Sequence, residues 1–420
     1  MKILVVSVFL TAYILLVSKK GNPFIVLAVA IGILFAAGAL TVREAASSIN
    51  LNVLGVFWGT MVLSGLFIFS RVPAFLATRL VDRAKSVGAA MLYVCLLAGF
   101  ISSFVENVAT VLIVAPIAFE VAKKLKADPV PFLIGIAVSS NLQGCATMIG
   151  DSPSIILALS SGMSFMDFFW MKGRPGITFA VELGAVASFT VLYLLFRKFK
   201  GPVIHIEEVR VKTWFPTILM VVMMTTLGAS SFIQNKPQYA VALICVTYGI
   251  VGLVWHELRH KESISLFKNL DWHTFFFLIG IFVLVGTLSQ RGIVDDMANF
   301  IIKHAGGSAF IAFTIIIWLS VILSAFIDNI PYTIAMIPVA KLIAASLGVG
   351  PELFLFGLLI GTSLGGNITP IGASANVVAV GMLRKEKYNV SFGDFVKIGL
   401  PFTIAAVSVA YLFLWVVWGK

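Results

Sequence analysis

Glu106-Asn107 and Asp328-Asn329 are the residues of this 420-residue chain whose types and surroundings point most directly to chemistry. Each is a carboxylate followed at once by asparagine inside a strongly apolar stretch. An ionised carboxylate at mid-bilayer costs several kcal/mol unless it is paired, hydrated or protonated, and no lysine or arginine lies within ten residues of either. Binding a coupling cation or carrying a proton is the chemistry such groups perform. The competing role is structural: a carboxylate caps the N-terminus of a half-helix, where the dipole favours negative charge. The two roles are compatible. Asp151, in Gly150-Asp151-Ser152-Pro153, is the third acidic candidate, since a buried carboxyl beside a cation can trade a proton for Na⁺. Its structural alternative is to cap the Asp-Ser-Pro turn.

Neutral oxygens and donors accompany these acids. Asn107, Thr110, Thr147, Ser152, Asn329, Thr333, Asn367, Thr369, Ser374 and Asn376 suit Na⁺ or a hydroxylated solute as ligands, although Ser and Thr also satisfy the backbone of interrupted helices. Six of them pair between two copies. A shift of 222 positions, from Glu106 to Asp328, lays Asn107 on Asn329, Pro116 on Pro338, Thr147 on Thr369, Gly150 on Gly372 and Ser152 on Ser374 without a gap. Asp151 meets Ala373 and Cys145 meets Asn367; these mismatches are expected to hold the identity of the substrate.

The elements that position these groups must be membrane helices. Hydrophobic residues make up 60% of the chain and charged residues 12%, against roughly 25% charged in a soluble domain. Long continuous apolar runs, several near the roughly 20 residues that cross a bilayer as helix, recur throughout, and their lack of alternation argues against a barrel. The first run lacks the charge order of a signal peptide. Basic clusters at Lys19/Lys20, Arg71–Lys85, Lys123–Lys126, Arg197–Lys200, Arg259–Lys268 and Arg384–Lys387 mark the cytoplasmic side. Between Lys85 and Lys123 one helix is too long and two crossings too short, so residues 87–123 are expected to form a re-entrant hairpin with Glu106-Asn107 at its tip. A broken helix follows over 131–162, interrupted at Gly144, Gly150 and Pro153. Residues 307–346 and 352–383 repeat both features, with Gly365, Gly366, Pro370 and Gly372 at the second break. Basic charge changes sides between corresponding points of the copies, the mark of inverted topology. The expected division is 1–49 as N-terminal scaffold, 50–200 as the first repeat, 201–270 as linker and connecting helices, and 271–420 as the second repeat. About eleven crossings or broken crossings place both termini outside.

Glu106 to Thr110, Gly144 to Pro153, Asp328 to Thr333 and Gly366 to Asn376 resemble the ion transporter superfamily of divalent anion/sodium symporters, arsenite permeases, sodium/proton antiporters and P protein relatives. The resemblance covers about 50–420. It implies a homodimer of protomers, each with a scaffold and an elevator-like transport part, and Na⁺ between each tip and the adjacent break, here at Asn107 and Asn329. Symporters of the superfamily carry Ser-Asn-Thr at the tips. Glu106 and Asp328 replace that serine, which looks more like the arsenite permease, antiporter and P protein side.

His256-Glu257-Leu258-Arg259-His260 matches HExxH and raises the rival of an intramembrane zinc protease. Zinc is disfavoured because a third ligand is lacking and the motif lies outside the repeat, at a basic helix end that reads as the start of a solvated loop. The three cysteines lack CxxC spacing and read as packing residues. Lys172, Arg174 and the aromatics of 165–170 read as an interfacial segment, and His205-Ile206-Glu207-Glu208 and Asp271-Trp272-His273 as cytoplasmic linkers without chemistry.

An all-α polytopic membrane protein follows, with two inverted repeats, re-entrant hairpins and broken helices. No GxxxxGK[ST] motif gives ATP hydrolysis a seat, so transport is secondary and the chain is not an enzyme. Its partners are a small ion and the lipid bilayer, with no nucleic acid; H⁺ or Na⁺ is the coupling ion, with no other cofactor. Its expected place is a prokaryotic inner membrane. Sodium/proton antiport is the leading expectation, because the sites carry carboxylates and no basic residue to grip a dicarboxylate. The alternative is H⁺- or Na⁺-coupled transport of an anion or metalloid such as arsenite or a carboxylate.

Overall fold

The computed structural model describes residues 1–17, 22–124, 127–201 and 209–419. Lys19, Lys20, Lys126 and the 205–208 segment lie outside the described residues. An N-terminal group comprises α1 (Lys2–Val17), α2 (Pro23–Ala36) and α3 (Val42–Ser48). The first half contains α4 (Leu51–Ser70), α5 (Val72–Asp82), α6 (Val87–Ser102), α7 (Asn107–Lys124), α8 (Pro129–Gly144), α9 (Ser152–Ser160) and α10 (Ile177–Phe196). Connecting helices α11 (Phe215–Ser230), α12 (Ala240–His260) and α13 (Ser263–Lys268) lead to the second half. There α14 (Trp272–Gln290), α15 (Ile293–Ala305), α16 (Ala309–Ser324), α17 (Asn329–Leu347), α18 (Glu352–Gly365), α19 (Ser374–Lys385) and α20 (Phe392–Trp418) follow in matching order. Among the described residues, α4, α10, α12, α14, α17 and α20 are long and apolar enough to cross a membrane, and α1, α2, α6, α11, α16 and α18 are shorter apolar helices.

Lipid tails are as apolar as leucine, so membrane helices associate through close packing at small residues rather than through hydrophobic burial. A Cβ at Gly59 of α4 would sit 2.2 Å from the Cys245 carbonyl oxygen of α12. A Cβ at Gly365 of α18 would meet the Val321 carbonyl of α16 at 2.6 Å. Cys95, Cys145 and Cys245 are all buried, Cys95 against Gly135 and Cys245 against Gly59.

The halves correspond in detail. Helices α6 and α16 begin and end 222 positions apart, α7 and α17 both begin at the asparagine after the carboxylate, and each carries an internal proline, Pro116 or Pro338. They also interlock: α19 packs on α7 and α8, α9 on α17, and α18 on α8 and α9. Outside this unit, α1, α2 and α3 form a second apolar cluster with α14.

Two peripheral segments pack into the protein. Of the aromatics assigned to the interface, Trp170 is exposed while Phe165 and Phe168 are buried in the short 3₁₀ turn. Lys172 and Arg174 lie on the small hairpin of Trp170–Met171 and Arg174–Pro175 and reach the second half. Lys172 Nζ pairs with buried Glu352 at 2.5 Å, and Arg174 donates to the Val417 carbonyl at 2.9 Å. The HExxH residues form the last turns of α12, so the expected i,i+4 pair is helical, but His256 is buried rather than solvated. His256 is buried edge-on against Phe69, its Nδ1 is 3.2 Å from the Ser263 hydroxyl, and Glu257 accepts from the Ser263 amide at 3.1 Å. Among the described residues no three His, Cys, Asp or Glu side chains are placed to share a metal ion.

Candidate functional site: a carboxylate cavity between the halves

Each carboxylate stands where an apolar helix starts, and local chemistry puts it there. The first amides of a helix have no intrahelical acceptor. Glu106 Oε2 accepts from the Val108 amide at 2.7 Å and lies 3.4 Å from that of Ala109; Asp328 Oδ1 accepts from Ile330 at 3.0 Å; Asp151 Oδ1 accepts from Ser154 at 2.8 Å. Pro153 and Pro331 fall in the first turns, where a missing N–H costs nothing. Thus α7, α17 and α9 carry acidic caps, while α19 begins after Ala373 with no side-chain cap. Ser374, its first residue, donates instead to Asp328 Oδ2 at 3.2 Å, and Ser363 of the second half donates to Asp151 Oδ2 at 3.1 Å.

The breaks are held by the same contact in both halves. Thr147 donates its hydroxyl to the Ser103 carbonyl and Thr369 to the Ala325 carbonyl, partners 222 positions apart. Each threonine therefore ties a break to the loop before α7 or α17. Gly150 and Gly372 sit where two loops cross: a Cβ at Gly150 would meet the Gly144, Ser102 and Ser103 carbonyls at 2.4–2.9 Å, and one at Gly372 the Gly366, Ala325 and Ser324 carbonyls at 2.6–2.9 Å. Gly144 is equally constrained, its Cβ position lying 2.3 Å from Asn107 Oδ1.

Glu106, Asp151, Asp328 and Ser374 line a single cavity of about 800 Å³. Its opposite wall comes from Tyr13 of α1, Thr60 and Ser64 of α4, and the start of α14. There the sequence reading fails: Asp271 and His273, taken as linker residues, line this cavity. Asp271 caps α14 through the Thr274 amide at 3.0 Å and hydroxyl at 2.6 Å. Of the described lining residues four are acidic and none is lysine or arginine. A recess of about 20 Å³ continues between the halves, lined by Glu106, Asn107, Asp151, Ser152, Asn329 and Ser374 among others. That is space for one water or one small cation.

Thr110 donates to the Val105 carbonyl at 3.3 Å, and the Thr333 and Ser152 hydroxyls are buried without a hydrogen-bond partner among the described residues. Asn367 and Asn376, 0% exposed, join a buried amide network centred on Asn141, a residue the sequence reading missed. A signal was present: Asn141 falls on Ser363 in the 222-residue register, a third polar mismatch beside Asp151/Ala373 and Cys145/Asn367. Tyr13 and Asp271 carried none: Tyr13 precedes the repeats, and Asp271 falls on Ile49.

Comparison with known proteins places this geometry. The family model described as citrate transporter, CitMHS, matches residues 13–361. An uncharacterized transporter of Mycobacterium tuberculosis is 28% identical over 99% of this chain and 98% of its own length. The P protein of Mus musculus is 27% identical over 87% of this chain, which spans 54% of that protein. Among solved structures, the Alcanivorax borkumensis YdaH transporter aligns with a TM-score of 0.62 at 15% identity, covering 93% of this chain and 89% of that one, a likeness of fold.

Proposed function

The chain belongs to the citrate transporter family, CitMHS, and from that premise we propose that this integral membrane transporter exchanges a small cation against protons through the cavity between its halves. One observation carries the reading: three helix-capping carboxylates, contributed by both halves, line one cavity whose described walls hold no lysine or arginine. Such a surface attracts cations and repels anions. In this reading Glu106, Asp151 and Asp328 alternate between protonated and cation-bound forms, with Na⁺ or H⁺ as coupling ion and Asn107, Asn329, Ser152 and Ser374 as neutral ligands. The backbone amides that hold each cap keep the carboxylate in place in both forms. The two halves run in opposite senses across the bilayer, and the interlocked α6–α9 and α16–α19 unit moves against the remaining helices, within a homodimer.

A second reading has its own support. The matching family is described by citrate, and an anion's natural seat is a helix N-terminus. The starts of α7, α9 and α17 are taken by their own carboxylates, but α19 begins beside Asp328 with no side-chain cap. A carboxylate or metalloid would sit there, its charge offset by Na⁺ or H⁺ at the acidic groups.

Proteoliposomes carrying an internal pH dye distinguish the two. Addition of Na⁺ or Li⁺ alone is expected to drive proton flux that arsenite or citrate alone does not. Flux triggered only by the anion or metalloid overturns cation exchange in favour of the second reading.

A further inference from the structure

Several polar exceptions to the 222-residue repeat meet one another across the seam between the halves. Asn141 bonds Asn367, whose counterpart is Cys145, and Ser363, the counterpart of Asn141, bonds Asp151.

The network has a definite polarity because backbone carbonyls only accept. Asn376 Nδ2 donates to the Gly366 and Thr369 carbonyls, both at 2.8 Å, and Asn367 Nδ2 donates to the Val138 carbonyl at 3.2 Å. Both side chains therefore turn Oδ1 toward Asn141, whose Nδ2 donates to each at 2.9 Å. Reversing Asn141 would set three amide oxygens together. Its own Oδ1 is consequently left to accept from Asn107 Nδ2 at 3.3 Å, while Asn107 Oδ1 accepts from Ser102 at 2.7 Å. Asn107 follows Glu106 and lines the recess.

We propose that Asn141 is a positioning residue for cation transport, transmitting the fixed polarity of the second half's break to Asn107 so that this amide is held in one orientation beside the recess that both residues line. This rests on the cation-coupled reading above. Serine at 141, the residue found at the matching position 363, is too short to bridge and frees the Asn107 amide to rotate.

The test compares the full-length chain with Asn141→Ser, Asn367→Cys and the double variant in proteoliposomes, reading proton flux against internal or external concentration of Na⁺ and H⁺. Asn141→Ser is expected to raise the half-saturating cation concentration at least tenfold, with maximal flux per folded protein within about twofold of the parent. Asn367→Cys, which removes one of two acceptors, gives a smaller rise, and the double variant adds little to Asn141→Ser because both act through one chain of bonds. An unchanged half-saturating concentration in Asn141→Ser, a loss of maximal flux alone, or additive effects in the double variant overturns the proposal. Should Asn141→Ser fail to fold, an unchanged value in Asn367→Cys overturns it equally. A parent chain with no cation-driven flux overturns the transport reading and this inference together, whereas parental flux with unshifted variants removes only the inference.

Discussion

Glu106→Gln and Asp328→Asn are each expected to lower cation-coupled flux about 100-fold or more while leaving the protein folded. Both substitutions remove a charge and keep a carbonyl oxygen. A cation about 4 Å from a carboxylate gains roughly 4 kcal/mol at an effective dielectric constant near 20, and losing about 2.7 kcal/mol of it is a factor of about 100. The capping role survives: a neutral side-chain oxygen at Glu106 still accepts from the Val108 amide, and one at Asp328 from the Ile330 amide. The loss of helix-dipole stabilisation is about 0.3–1 kcal/mol. Flux and melting temperature therefore separate. Proteoliposome flux with a parallel thermal melt in detergent measures both, and undiminished flux in either variant removes that carboxylate from the mechanism. If the caps are purely structural, the melts fall and the flux per folded molecule does not.

Gly150→Ala and Gly372→Ala are expected to cost the most stability, by similar amounts. A methyl at either position meets three backbone carbonyl oxygens within 3 Å, and backbone cannot rotate away as a side chain can. Overpacking typically costs about 1–3 kcal/mol and occasionally more, and here the displaced atoms belong to the loops that hold Glu106 and Asp328. Both variants should show a melting temperature several degrees lower and a reduced yield of monodisperse protein. Gly381→Ala is the control: it lies in α19 with nothing within 4 Å of its Cβ position, and alanine there favours the helix by about 1 kcal/mol. Melts of Gly150→Ala and Gly372→Ala that match the parent would show that the loop crossings are not as tight as described.

The local features were legible because each rests on a local cost. Gly and Pro at 144–153 and 365–372 announce where helices stop, and Glu106 and Asp328 announce caps because an apolar stretch tolerates a carboxylate only with a partner. The Thr147 and Thr369 contacts could be foreseen as break-satisfying hydroxyls but not their acceptors, the Ser103 and Ala325 carbonyls, each 44 residues away. At His256 the spacing to His260 left zinc disfavoured, but what the ring does instead, packing against Phe69 from α4, rests on a neighbour that no motif encodes.

By itself the sequence determined that this is a helical membrane protein built twice over, with acidic groups at matching helix starts. A bilayer admits continuous apolar runs only as helices that satisfy their own backbone, and a repeated charge in such a run is too costly to be incidental. Only the tertiary structure decided which groups share a cavity. Asp271, His273 and Tyr13 join the carboxylates without a matching group in the other half, and Asn141 meets Asn367 and Asn376 across more than 220 residues of chain. Periodicity and spacing report what one helix costs and gains along its own length. Contacts across the seam depend on how two helices lie in space, and their energy leaves no mark in the order of residues on either one.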